Sequence, residues 1–228
     1  RADGKVITWG KNETGQLDVP ANLTGVINVE AALYTTLALK DDGTVTHLVV
    51  RVVLNPSGWL HVRAGDLDLR GSGVFAGRVT TQPGHILTLS DGDYDFRPVC
   101  VVDGAGLVRV VANTVTVNVA CNIVMTGGAW RIYDGVVSVQ PGVVFSNAVV
   151  VYVQNVGRLV GVAGDAVFAV IPTLHLWNNG AVDVPGLLNV TKKLNITGGT
   201  LTTDGEAHVN VVTHAVGVVT GAGIIRSY

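Results

Sequence analysis

The stretch Thr114-Val115-Thr116-Val117-Asn118-Val119 decides the fold class, because β-branched valine and threonine dominate it and polar and apolar side chains alternate along it. Valine and threonine are stiff at the first side-chain torsion and fit the pleated surface of a half-buried strand. The same alternation recurs in residues 60–69 and 208–212. Glycine and asparagine interrupt such runs at short intervals, as an all-β chain requires. We therefore predict an all-β fold.

The composition supports this prediction and excludes several classes of protein. Apolar residues make up 48% and charged residues 14% of the 228, which is too apolar for a disordered chain. The net charge of -2 gives no electrostatic basis for binding nucleic acid. Glycine, asparagine, aspartate or arginine interrupts every valine run, so we expect no membrane insertion.

Three segments share the pattern of a strand, a Gly-x-Gly corner and a second strand: residues 69–74, 102–107 and 219–224. Glycine accepts the left-handed backbone that a sharp bend between strands requires. Short apolar strands with such corners suit a parallel β-helix, in which each turn buries a stack of valines. A glycine-rich phosphate loop needs a helix after it, whereas strand-like residues follow each corner here. We therefore predict a β-solenoid without a nucleotide or other cofactor.

The first 45 residues contain an internal repeat. Arg1-Ala2-Asp3-Gly4-Lys5-Val6 returns as Lys40-Asp41-Asp42-Gly43-Thr44-Val45, and between the copies lies Trp9-Gly10-Lys11-Asn12-Glu13-Thr14-Gly15-Gln16-Leu17. Together with Thr36-Leu37-Ala38-Leu39, this succession resembles the RCC1-like repeat family, whose propellers are interaction platforms. The resemblance implies a partial repeat over residues 1–46 that is preceded by further repeats or docks on another subunit.

The resemblance ends near residue 46. Thr46-His47-Leu48 stands where the next Trp-Gly is expected, Ala32 replaces a glycine, and Thr35 replaces a histidine of the family pattern. A lone repeat cannot form the interaction surface of an array, so we carry over no functional residue. We expect a second, β-rich solenoid or spike domain over residues 47–228. Residues 188–225 resemble the β-helical shafts of bacteriophage tail spikes and fibres, and also those of bacterial surface adhesins.

Asp91, Asp93 and Asp95 form the most concentrated group of carboxylates. Their alternate spacing matches the first ligands of a calcium loop, but the loop would then need glycine at position 96 and an acidic ligand at 102. Phe96 and Val102 occupy those positions. We therefore interpret the cluster as a solvated turn, with an irregular calcium site as the alternative, and we assign no metal ligand.

Aromatic residues could mark a contact with a glycan. In Trp130-Arg131-Ile132-Tyr133, aromatic and basic side chains lie close together, which makes Trp130 and Tyr133 the candidate glycan contacts, with core packing as the alternative. Spike enzymes that cleave polysaccharide use paired carboxylates, for which Asp183, Asp204 and Glu206 are the candidates. With so few acidic residues, we expect no catalytic site and no enzyme.

The two cysteines, Cys100 and Cys121, lie in apolar runs without metal-ligand spacing. Free cysteine is among the most buried residue types, so we expect two small buried hydrophobic residues. A disulfide between them remains the alternative.

The sequence leaves two functional interpretations. The first is a virion structural protein of a bacteriophage: a head fibre, a tail spike or fibre, or a capsid decoration protein at the virion surface. It would be a homotrimer in contact with other virion proteins, because a valine-rich, lysine-poor chain favours burial between subunits. The alternative is a secreted bacterial adhesin, or a spike enzyme that cleaves polysaccharide, at the cell surface. Host surface polysaccharide is the expected ligand in either case.

Overall fold

The computed structural model is an all-β chain whose strands stack in parallel as a solenoid. The described residues contain no helix and therefore no helical segment that is long and apolar enough to span a membrane. The structure describes residues 6–7, 19, 23–32, 35–41, 45–47, 51–54, 56–63, 65–146, 148–162, 167–204, 206–215, 217–222 and 224–227. The predicted all-β class and the predicted β-solenoid are confirmed.

The described chain begins with an antiparallel meander that leads into the solenoid. The meander contains β1 (Val26–Ala32), β2 (Thr35–Lys40) and β3 (Val45–His47). Strand β3 is antiparallel to β2 but parallel to β6 (Leu67–Arg70), where Val45 pairs with Leu67. The meander and the solenoid therefore share one continuous sheet. The tryptophan-glycine signature of the RCC1-like resemblance, residues 9–17, lies outside the described residues.

Most turns of the solenoid contribute one strand to each of three faces. Face 1 contains β6, β9 (Ile86–Asp91), β12 (Leu107–Val110), β14 (Ala129–Ile132), β17 (Val150–Val153), the second halves of β19 (Val167–Trp177) and β21 (Leu187–Thr197), and β24 (Val212–Ala215). Face 2 contains β4 (Arg51–Leu54), β7 (Ser72–Phe75), β10 (Asp93–Phe96), β13 (Thr116–Val119), β15 (Val136–Val139), β18 (Arg158–Gly161), β20 (Ala181–Val184), β22 (Thr200–Thr203) and β25 (Val218–Thr220).

Face 3 contains β5 (Trp59–Val62), β8 (Arg78–Thr81), β11 (Val101–Gly104), β16 (Val143–Val144), the first halves of β19 and β21, β23 (Glu206–Val209) and β26 (Ile224–Ser227). Single bridges from Val102 to Ile123 and from Ile123 to Phe145 continue this face between β11 and β16. Strands β19 and β21 turn the corner from face 3 to face 1, where the register between them is irregular.

The core lies inside the three faces and is built from columns of side chains in register. On face 2, Val117, Val137, Leu159, Val182 and Leu201 pair in succession across neighbouring strands, and none is exposed to solvent. Their neighbours in sequence point outward, which is why polar and apolar residues alternate along each strand. This alternation is the pattern that predicted the strands.

The Gly-x-Gly segments lie at three different corners. Gly71 connects face 1 to face 2, Gly104 connects face 3 to face 1, and Gly221 connects face 2 to face 3. All three have a positive φ, which glycine adopts without strain. Their spacing in sequence therefore does not measure the length of a turn, which the side-chain hydrogen bonds between neighbouring turns place at 20 to 25 residues in most of the solenoid.

Candidate functional site

Face 1 carries an outward-facing column of side chains at the middle of its strands. Each member pairs with the next across neighbouring parallel strands, in the order Asp68, Thr88, Arg109, Arg131, Tyr152, His175 and Asn195. Residues that lie side by side here are far apart in sequence: 21 positions for Thr88 and Arg109, and 20 for His175 and Asn195. The turns of the solenoid thus assemble the column.

Stacked aromatic rings form the centre of this column. The Tyr152 ring stacks on the His175 imidazole, with ring centres 4.9 Å apart and planes 15° apart. The guanidinium carbon of Arg131 lies 5.0 Å from the centre of the Tyr152 ring, within the range of a cation–π interaction. Trp177 lies beside both rings, with its ring centre 5.3 Å from that of Tyr152 and 6.0 Å from that of His175.

His175 is held as a neutral ring within this stack. Burial lowers the pKa of His175 below its ordinary value, and the positive charge of Lys193 lowers it further. The Asn195 Nδ2 lies 3.1 Å from His175 Nδ1 and fixes the orientation of the ring. A neutral imidazole at neutral pH stacks against Tyr152 without adding a charge beside Arg131.

Tyr133 and Trp177 lie at the edge of face 1, and Trp177 is the one in contact with the stacked rings. Tyr133 directly follows β14 and is 41% exposed, and Trp177 ends β19 and is 37% exposed. We call Tyr133, Tyr152, His175 and Trp177 the aromatic strip. Tyrosine and tryptophan combine an apolar ring with a polar group, and a sugar combines apolar C–H faces with hydroxyls. The strip is chemically suited to hold a carbohydrate chain.

The two sequence-derived glycan contacts lie on opposite sides of the sheet. Trp130 is 1% exposed and packs edge-on against Phe96 and Phe145, with ring centres 5.9 and 6.1 Å away. Trp130 is therefore a core residue and does not reach a ligand at the surface, whereas Tyr133 is exposed. Sequence reasoning missed Tyr152, His175 and Trp177 as a group, because only the turn length brings them together.

Asp91 and Asp93 flank the corner at Gly92, and Asp95 lies two residues further along β10. Asp91 Oδ1 accepts a hydrogen bond of 3.1 Å from the Thr114 hydroxyl. Asp95 forms an ion pair of 2.7 Å with Arg97 and accepts a hydrogen bond of 3.0 Å from the Asn118 amide. Within the described residues, no group of three or more histidine, cysteine, aspartate or glutamate side chains is arranged to hold a metal ion. The interpretation of the cluster as a solvated turn stays a prediction, and the contacts of Asp91 and Asp95 are to side chains of this chain.

The three carboxylates considered for catalysis do not share one face. Asp183 is on face 2 and is paired with Arg158, Asp204 is exposed at the following corner, and Glu206 is on face 3. Hydrogen bonds from His208, at 2.9 Å, and from Arg226, at 3.3 Å, lower the pKa of Glu206. These two hydrogen bonds thus stabilise Glu206 in its ionised form.

Cys100 and Cys121 are free thiols in consecutive turns, 5% and 2% exposed. A hydrogen bond between the two sulfur groups, together with burial, raises the pKa of Cys100 above its ordinary value. The prediction that both cysteines are buried is confirmed.

No protein-family model matches the chain, no curated protein matches it, and no solved structure matches it.

Proposed function

We propose that the chain is a structural protein of a bacteriophage particle, such as a head fibre, a tail spike or fibre, or a capsid decoration protein. In this proposal it is located at the virion surface and attaches the particle to polysaccharide on the host. The observation that carries the proposal is the aromatic strip, in which Tyr152 and Trp177 occupy fixed places on an outer face of a solenoid. Strips of this kind present a repeating surface to a repeating ligand.

The architecture also supports a role in an extracellular particle. Parallel ladders pair nearly every strand with a neighbour on each side, and the inward columns are fully buried. Opening one turn disrupts backbone hydrogen bonds and core contacts with both neighbouring turns, which favours slow unfolding. Resistance to unfolding is the kind of stability that a secreted or virion protein depends on.

A patch of valines on face 3 supports association into a homotrimer. Val99, Val101, Val124 and Val144 are between 40% and 63% exposed and lie on successive turns of this face or at its edge. We call these four residues the valine patch. Exposed apolar patches mark protein contact surfaces, and three copies that bury the patch around a common axis would leave face 1 free for polysaccharide.

Light scattering tests the association. We expect a molar mass near three times 23.7 kDa for the native chain, unchanged by mild detergent. The double variant Val101→Glu/Val144→Glu is expected to dissociate it, while the control Val156→Glu, at an exposed corner on the other side of the solenoid, leaves the mass unchanged. A monomeric native chain would remove the trimer from the proposal.

Incubation with host capsule or lipopolysaccharide tests the attachment. We expect binding without release of reducing ends, and at least a tenfold loss of affinity in the double variant Tyr152→Ala/Trp177→Ala. The matched control is Trp59→Ala, since Trp59 is 58% exposed but lies on face 3. Release of reducing ends would favour a polysaccharide-cleaving spike enzyme. Equal binding by all variants would mean that the aromatic strip is not the contact surface.

A secreted bacterial adhesin would use the same strip in the same way. The two proposals differ in the structure that carries the chain, a virion or a bacterial cell surface. Electron microscopy of particles labelled with an antibody against the chain separates them, because only a virion protein labels purified phage and associates with other virion proteins.

A further inference from the structure

Arginines on this solenoid are usually neutralised by a carboxylate. Five of the described arginines make such ion pairs, namely Arg70 with Asp68, Arg78 with Asp103, Arg97 with Asp95, Arg158 with Asp183 and Arg226 with Glu206. Arg109 and Arg131 on face 1 make no ion pair with any carboxylate in the described part of the chain. Among the described arginines Arg63 makes no such pair either, but Arg109 and Arg131 are neighbours in the column that contains the aromatic strip.

The two arginines lie directly opposite each other. Arg109 on β12 pairs in register with Arg131 on β14, and neighbouring strands are separated by about 4.8 Å. Like charges placed opposite each other in a sheet are destabilising. Strands β12, β14, β17, β19 and β21 contain no aspartate or glutamate. The carboxylates of this face lie on β6, where Asp68 pairs with Arg70, and at the end of β9, in Asp91.

Arg109 also retains unused hydrogen-bonding capacity. Its Nη2 donates to Thr88 Oγ1 at 3.1 Å, while its Nε is buried and has no hydrogen-bond partner among the described residues. A buried donor without a partner is costly. An anion beside the outer nitrogens of the two guanidinium groups would lower the charge repulsion between them. Arg131 meanwhile lies over the Tyr152 ring, which joins the cationic pair to the aromatic strip.

We propose that face 1 binds an acidic polysaccharide, with an anionic group of one sugar held by Arg109 and Arg131 and a neighbouring sugar in contact with Tyr152 and Trp177. Guanidinium groups form strong, charge-assisted hydrogen bonds with carboxylates and other oxyanions. This inference rests on the proposed attachment to polysaccharide and adds the chemical class of the ligand. The anionic group is a carboxylate, as in a uronic acid, or a sulfate.

Binding of defined sugars to the full chain, measured by calorimetry, tests the inference. The probes are galacturonate oligosaccharides, the same oligosaccharides after reduction of their carboxyl groups to alcohols, and a sulfated dextran with its unsulfated parent. We expect the native chain to bind at least one anionic probe at least tenfold more tightly than its neutral counterpart. The preference is expected to decrease as salt increases, since ions screen exposed charges.

Variants locate the preference on the two arginines. Arg109→Gln and Arg131→Gln are each expected to weaken binding of the anionic probe about tenfold or more, with little effect on the neutral probe. The control Arg158→Gln, on face 2, is expected to leave both affinities unchanged. Trp177→Ala is expected to weaken both probes alike, because stacking does not depend on the charge of the sugar.

The outcomes separate this inference from the proposed function. Equal binding of the charged and neutral probes, reduced by Trp177→Ala, would retain polysaccharide attachment and overturn the anionic ligand. Unchanged anionic binding in both arginine variants would overturn the assigned residues. If neither anionic polymer binds, the inference fails, and if host polysaccharide does not bind either, the proposed attachment fails with it.

Discussion

Substitution of one corner glycine tests how tightly neighbouring turns of the solenoid approach each other. Gly92 lies between face 1 and face 2, with a φ of +80°. A Cβ added at this position would lie 2.1 Å from the carbonyl oxygen of Gly71 and 2.4 Å from its carbonyl carbon. These atoms belong to the backbone of the preceding turn. Gly92→Ala therefore forces the two turns apart rather than displacing a flexible side chain.

A matched control separates this contact from the cost of the backbone conformation. Gly84 also has a φ of +80°, but nothing lies within 4 Å of the Cβ that would be added there. The left-handed conformation costs a residue with a Cβ about 1–2 kcal/mol at either position. Overlap with a well-packed neighbour adds about 1–3 kcal/mol at position 92. We expect Gly84→Ala to destabilise the chain by about 1–2 kcal/mol and Gly92→Ala by about 2–5 kcal/mol.

Thermal unfolding followed by circular dichroism measures the difference. For a chain of this size, 1 kcal/mol shifts the melting temperature by about 2–4 °C, so Gly92→Ala is expected to melt about 2–12 °C below Gly84→Ala. Hydrogen exchange should also speed up at the Thr116 amide, which donates to the Gly92 carbonyl at 3.1 Å. Equal melting temperatures for the two variants would refute the close approach of the turns at this corner.

Three further predictions concern the core, the thiols and the stacked histidine. Trp130→Ala is expected to lower the free energy of unfolding by about 3–5 kcal/mol in a urea titration, whereas Tyr133→Ala, at an exposed position, should change it by less than about 0.5 kcal/mol; similar losses would contradict their placement on opposite sides of β14. Cys100 and Cys121 are expected to resist a disulfide reagent in the native chain and to react once urea unfolds it, because both are buried; rapid labelling of the native chain would show that their corner opens. The ring of His175 should titrate by NMR below its ordinary value of 6.5, so the unfolded chain takes up this proton first and stability decreases as the pH falls below 6.5; a midpoint at or above 6.5 would contradict the burial and the influence of Lys193.

The strands could be predicted from the sequence because the physics that forms them is local. Alternation along residues 114–119 places Val117 and Val119 inside and Asn118 outside, as the structure has them. The length of a turn could not be predicted in the same way. The corner between β9 and β10 is the single residue Gly92, whereas five residues, 111–115, connect β12 to β13. Corners of unequal length conceal the repeat.

The candidate site was predicted in part, for a related reason. Trp130 and Tyr133 are three positions apart, and in a strand of period two such residues point to opposite faces. One of the two side chains therefore points into the core. It is the larger ring, that of Trp130, while Tyr133 points to solvent. The aromatic partner of the basic residue Arg131 is Tyr152, 21 positions further along the chain. Only a known turn length would have connected them.

The solenoid assigns stability and binding to different columns of side chains. The inward columns need apolar residues of suitable volume at every turn, so a substitution such as Trp130→Ala affects the fold. The outward columns need only residues that are compatible with a strand. Charged and aromatic residues can therefore occupy them with little effect on the core. Elsewhere on the solenoid several outward-facing arginines form ion pairs, such as Arg158 with Asp183. On face 1, Arg109 and Arg131 form no ion pair with a described carboxylate, and an unpaired charge beside partly exposed rings is the arrangement expected of a surface whose counter-charge arrives with a ligand.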